Sequence, residues 1–171
     1  TPADEDFMVF PPQTVIEPLS QQVFRIQYLG GEPLDRAAVY YVSLKEIPLP
    51  LAPGQSKVQL VMNFNVLVNV VPDGARAAPE VDWIKPGERN GVTGIELRIA
   101  NPGDSFYPAG RNNWKISGTD AAGKAHSYSL NAATVGSAIG YGLVPAGGAR
   151  IFFVPTESLL ADGTISVELG Q

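Results

Sequence analysis

The stretch Val58-Gln-Leu-Val-Met-Asn-Phe-Asn-Val-Leu-Val-Asn-Val70 carries the clearest pattern in the chain. Val58, Leu60, Met62, Phe64, Val66, Val68 and Val70 fall on one parity, and Gln59, Val61, Asn63, Asn65, Leu67 and Asn69 on the other. Successive side chains of a β-strand point to opposite faces, so this alternation predicts one strand with an apolar face and a largely polar one. Helical periodicity does not fit it. Strands usually run about 5–6 residues, so this one is expected to be unusually long. Before it lies Pro48-Leu-Pro-Leu-Ala-Pro-Gly54, whose prolines remove donors and fix φ, so it is neither helix nor central strand. After it, Pro72-Asp-Gly-Ala-Arg-Ala-Ala-Pro79 reads as a linker or hinge.

Outward from this segment the chain reads as strand after strand. Val23–Tyr28 and Ala37–Leu44 precede it, the first ending at the Gly30-Gly31 turn. Gly94–Ala100, Asn113–Ser117, Ala125–Leu130, Tyr141–Val144, Arg150–Val154 and Gly163–Leu169 follow it. Asn113–Ser117 and Ala125–Leu130 are expected to form a hairpin across Gly118–Lys124. Turn signals recur every 8–12 residues or so, the mark of an all-β sandwich. The weak helix candidates are Ala132–Ala138 and Glu157–Leu160.

Composition narrows the function classes. The chain has 171 residues, 44% hydrophobic and 17% charged, as a folded domain or two should be. The net charge of -5 gives no basic footprint for nucleic acid. There is no Cys, which excludes disulfides and Cys-ligated metal, and His126 is the only His, which excludes a multi-His metal site within one chain. No apolar run reaches membrane-spanning length. The acidic start Thr1–Asp6 lacks the positive region of a signal peptide, so a mature form or a fragment is expected.

Each candidate for chemistry has a plainer reading. Gly118-Thr-Asp-Ala-Ala-Gly-Lys124 approaches a phosphate-binding loop, but Ala125 stands where Ser or Thr is needed and a strand, not a helix, follows. A hairpin turn is the better reading. His126 lacks a Gly-x-Ser-x-Gly elbow to serve, so a structural His is expected. Trp83 and Trp114 could stack on carbohydrate, but a core Trp in a sandwich is the commoner role. Asp4-Glu5-Asp6 reads as a solvated terminus. Arg25 is the one charge inside Val23–Tyr28; it is either a solvent-facing strand residue or an anchor for a carboxylate. The long strand likewise packs into its own core or forms an edge whose apolar row outlasts its own domain. An edge of that length needs a cover, which a partner strand would supply by β-augmentation.

Nearly the whole chain resembles the PapD-like periplasmic chaperones of the chaperone–usher pathway. Phe7-Met-Val-Phe-Pro-Pro12 through Ile16-Glu-Pro18, and Val23-Phe-Arg-Ile26, are similar to two of that family's stretches. The most specific likeness is Leu34-Asp-Arg-Ala-Ala-Val-Tyr-Tyr-Val-Ser-Leu-Lys-Glu-Ile-Pro48, which resembles the family signature P-x-D-R-E-S-L-F-W-L-N-V-K-E-I-P. Pro72 matches the proline that ends the family's long strand. Ile99-Ala-Asn-Pro102, and Gly142-Leu-Val-Pro145 through Phe152-Phe-Val-Pro155, resemble motifs of its second half.

The resemblance implies two immunoglobulin-like β-sandwich domains. Residues 1–72 form the first, incomplete at its N-terminus; 73–79 are a hinge; 80–171 form the second. It implies no enzyme activity and no cofactor. It implies a periplasmic chaperone that donates the long strand to a pilin subunit and delivers it to an outer-membrane usher. Val58, Leu60, Met62 and Phe64 would be the donated residues, by position. Burying four such side chains gives roughly 6–12 kcal/mol gross, from which ordering and association costs are subtracted. An uncovered strand of this kind also invites self-association.

The chain departs from the family pattern in three ways. Strands that members carry ahead of the point matching Phe7 are absent, so half a sandwich with an uncovered core is expected. The family's strand-borne basic residue aligns with Leu67, which leaves Arg25 as candidate carboxylate anchor. The family's interdomain charges fall at Ala37 and Val71. With Asn63, Asn65 and Asn69, these departures resemble the divergent archaic, Csu-like branch. The rival readings are a structural or adhesive immunoglobulin-like domain of a surface fibre and, less consistent with one His, a β-sandwich hydrolase.

Overall fold

The computed structural model describes residues 5–30, 34–48 and 60–170. Val58, most of the proline-rich loop and Gly31 lie outside them. The chain divides into two compact units, one comprising Thr1–Leu34 and Ala38–Val70, the other Asp35–Ala37 and Val71–Gln171.

The first unit holds two antiparallel ribbons. Strand β1 (Phe7–Phe10) pairs with β2 (Arg25–Tyr28), and β3 (Ala38–Lys45) pairs with β4 (Asn63–Val70). The strand expected from Val58 is thus shorter: its ladder begins at Asn63, and Leu60–Met62 run on without strand pairing. The cause is the partner strand, whose ladder register stops at Lys45 just ahead of Ile47-Pro48. Apart from Ala37, which belongs with the other unit, no described residue of the 5–70 region is buried.

The second unit packs its sheets around one buried apolar cluster. Strands β5 (Glu80–Arg89), β6 (Val92–Asn101) and β11 (Gly148–Pro155) form one antiparallel sheet in the order β11-β6-β5. Strands β8 (Trp114–Thr119), β9 (Ala125–Leu130) and β12 (Ser166–Leu169) form another in the order β12-β8-β9. Short strands β7 (Tyr107–Pro108) and β10 (Leu143–Val144) pair beside them. Ile95, Leu97 and Ile99 of β6 are fully buried and share one cluster with Trp114, Ile116, Phe152 and Val154. Their spacing of two is the strand period with one face turned to the core. Trp114 meets Phe152 edge-on at 6.3 Å between ring centroids, the geometry aromatic quadrupoles prefer.

The structure departs from the sequence reading in several places. The chain is mostly β but not all-β, because Ala132–Ile139 is an α-helix, α1. Asn131 caps it by accepting the Thr134 N–H, and Gly140 ends it at φ 68°. Glu157–Leu160, the other helix candidate, forms no helix. Strand β5 is disguised in the sequence by Pro86, which a sheet tolerates on an outer strand such as this one. The β5–β6 hairpin turns at Asn90 and Gly91, both at positive φ, the signature of a two-residue primed turn. In the 73–79 segment, Arg76 and Ala78 donate backbone N–H groups to the Asp104 and Asn101 side chains.

Candidate functional site

The register of β3 against β4 runs from Ala38↔Val70 to Lys45↔Asn63. It places Phe64, Val66, Val68 and Val70 on one face with Leu44, Val42, Tyr40 and Ala38. This face meets the other ribbon. The Phe7 ring stands edge-on to Tyr40 at 4.7 Å and lies 5.3 Å from Tyr28, with Tyr28 and Tyr40 6.2 Å apart. Phe7 and Tyr28 face each other across β1–β2, on the parity that also holds Val9 and Ile26. Burial, then the neighbouring Tyr28 and Asp6, raises the Tyr40 hydroxyl above its ordinary pKa.

The cover fails along β4. Val70 and Val68 are half-buried. Val66 is 42% exposed, Phe64 57%, Met62 59% and Leu60 86%. The apolar parity therefore becomes progressively barer toward Leu60. Strand β4 has β3 as its one strand neighbour among the described residues, and is an edge strand there. On the opposite parity, Asn65 faces Ser43, whose hydroxyl donates to its Oδ1 at 2.7 Å. Just past the end of the ladder, Glu46 N–H donates to the Met62 carbonyl at 3.0 Å, and the Glu46 carboxylate accepts the Met62 N–H at 2.9 Å.

Leu60, Met62 and Phe64 are all exposed, while Val58 is outside the described residues. Arg25 is exposed at the start of β2, opposite Phe10. Its parity is shared with Gln27, Met8 and Phe10, so it sits on the outer face of the β1–β2 ribbon and not on the face that carries Tyr28.

The remaining candidates are structural. Gly118–Lys124 spans the end of β8 and the turn to β9, as a hairpin turn should. Asp120 Oδ1 accepts the N–H groups of Ala122 and Lys124 at 2.9 and 3.0 Å, and Oδ2 lies 2.9 Å from His126 Nε2. The His126 hydrogen bond, reinforced by those amides, holds the Asp120 carboxyl below its usual pKa. Trp114 is buried, whereas half-buried Trp83 carries the Lys85 ammonium 5.2 Å from its ring. No group of three or more His, Cys, Asp or Glu among the described residues could hold a metal ion. No helix among them is long and apolar enough to cross a membrane. The Glu46–Met62 contact has no signal in the sequence pattern, since it joins residues across the proline-rich loop.

The geometry defines a class first: a mostly β protein with an edge strand whose apolar row is bare, the kind of surface that strand addition uses. Residues 1–76 then match the family model of the pili and flagellar-assembly chaperone, PapD N-terminal domain. The match takes in β1 to β4 and ends at Arg76. No curated protein and no solved structure matches the chain. Chaperones of the PapD family are periplasmic, bind pilin subunits and are not enzymes.

Proposed function

We propose that this chain is a periplasmic, non-catalytic assembly chaperone that completes a pilin subunit with its own strand and delivers it to an outer-membrane usher. The observation that carries the reading is the rise in exposure along the inner row from Val66 to Leu60. Apolar side chains aligned on one parity and left in water lower the free energy of any partner groove that buries them, by about 1.5–3 kcal/mol each before association costs. The open edge of β4 adds main-chain hydrogen bonds to the same encounter. Leu60, Met62 and Phe64 are the proposed donor residues, with Val58 continuing the row.

Asn63, Asn65 and Asn69 on the polar parity, with Leu67 where a basic residue is usual, support the archaic, Csu-like branch. The two three-stranded sheets of the second unit, which contribute to one buried core, support an immunoglobulin-like second domain after a 73–79 connection. Arg25 is the candidate anchor for a partner's terminal carboxylate. From the outer face of β1–β2, it would receive that carboxylate around the edge of the ribbon.

Co-expression with a fimbrial subunit deleted for its last strand tests the function. A soluble one-to-one complex is expected. A fibre or adhesion domain would show no preference for the incomplete subunit, and that result would discard the chaperone reading.

A further inference from the structure

We infer that Glu46 is the positioning residue that fixes where β4 leaves its ladder and so presents Leu60–Met62 beyond β3. The inference rests on the donor reading above. Continuing the register of Lys45↔Asn63 by one step pairs Glu46 with Met62. An antiparallel pair of this kind exchanges two main-chain bonds. One is made: the Glu46 N–H donates to the Met62 carbonyl at 3.0 Å. In the other the acceptor has changed, because the Met62 N–H goes to Oε2 of the Glu46 side chain at 2.9 Å.

A carboxylate is a stronger acceptor than a peptide carbonyl, and its reach lets the two chains diverge while the bond holds. The β3 chain can then turn away into Ile47-Pro48, where Pro48 has no N–H to offer and biases Ile47 toward extended backbone. Met62 stays tethered at the point of divergence. Leu60, two residues further out, is 86% exposed. The contact therefore ends the strand on one side without releasing the other. A backbone carbonyl at this place would carry the β3–β4 ladder onward past Met62.

Hydrogen exchange at the Met62 amide, read in the whole chain, tests this without any partner. Glu46→Ala should speed exchange at Met62 about fivefold to tenfold, the worth of one hydrogen bond, and leave amides within the β3–β4 ladder unchanged. Glu46→Gln, which keeps an acceptor oxygen at the same reach, should stay close to wild type. Capture of a fimbrial subunit lacking its last strand should slow in the Ala variant and recover in the Gln variant. Unchanged Met62 exchange in Glu46→Ala, or a Gln variant no better than Ala, overturns the inference whatever happens to capture. A wild-type chain that captures no subunit while Met62 still responds overturns the donor reading, and the presenting role with it.

Discussion

The side-chain carbonyl of Asn101 accepts the backbone N–H of Ala78 at 2.9 Å, and Asn101 itself is wholly buried. Its amide nitrogen donates to the Ser105 carbonyl at 2.8 Å and lies 3.3–3.4 Å from those of Pro145 and Val144. One side chain thus satisfies groups from the end of β6, the segment leading into β5, and the β10 turn. Asn101→Leu keeps the volume but strands a buried donor and several acceptors, each worth about 1–3 kcal/mol. We expect the second unit to lose about 2–4 kcal/mol. Urea unfolding followed by tryptophan fluorescence reports on this unit, because Trp83 and Trp114 both lie in it. A loss too small to move the midpoint would show that water replaces the Asn101 amide without cost.

The Asp120–His126 pair makes a prediction about acid. The folded state holds the Asp120 carboxyl below its ordinary value, chiefly through His126 and then through the Lys124 amide. The unfolded value is about 3.9. A depressed folded pKa contributes stability that is complete above the unfolded value and is lost as pH falls through the folded one. Wild-type unfolding midpoints should therefore fall more steeply below about pH 4 than those of Asp120→Asn. His126→Ala should show an intermediate slope, because the turn amides remain. Identical acid slopes for wild type and Asp120→Asn would mean that this carboxyl is not held by the hairpin.

The sequence is most legible where alternation and burial agree. Ile95, Leu97 and Ile99 share a parity, and all are fully buried in β6. The Ala125–Leu130 strand has the bounds its alternation predicts. Legibility fails where a rule of thumb meets a local exception. Pro86 hides β5, although an outer strand accepts it, and the Asn90-Gly91 turn is the stronger signal. The long alternation marks the shared face of Phe64, Val66, Val68 and Val70 but overstates the ladder among the described residues. Periodicity reports which side chains share a face, whereas a ladder also needs a partner backbone, and β3 supplies one only as far as Lys45. The outer-face position of Arg25 is readable only from its register against Phe10.

Exposure makes the proposed donor row a clean target for mutation. Leu60 and Met62 are 86% and 59% exposed, so an aspartate at either costs the isolated chain little. Buried in a partner's apolar groove, the same carboxylate costs several kcal/mol. Leu60→Asp and Met62→Asp should each abolish recovery of a last-strand-deleted fimbrial subunit, with urea midpoints within about 0.5 kcal/mol of wild type. Val61→Asp, on the other parity, should weaken recovery far less. Undiminished capture by both inner-row variants would assign the donor role to some other strand.

Arg25 tests whether a second contact acts apart from that row. Its outer-face position puts it on a different ribbon from Met62 and Phe64, so the two contributions should add. An exposed guanidinium–carboxylate pair is worth at most about 1 kcal/mol, or roughly fivefold in affinity. Arg25→Ala should release a captured subunit several-fold faster with little change in association, and added salt should erase much of the difference. Arg25→Lys should fall between, since an ammonium keeps the charge but loses the planar fork that binds a carboxylate at two points. Surface-plasmon dissociation of the subunit from immobilised chain measures this directly. An off-rate that is the same for wild type, Arg25→Lys and Arg25→Ala at low salt would leave the partner's carboxylate to another residue and Arg25 to the solvent.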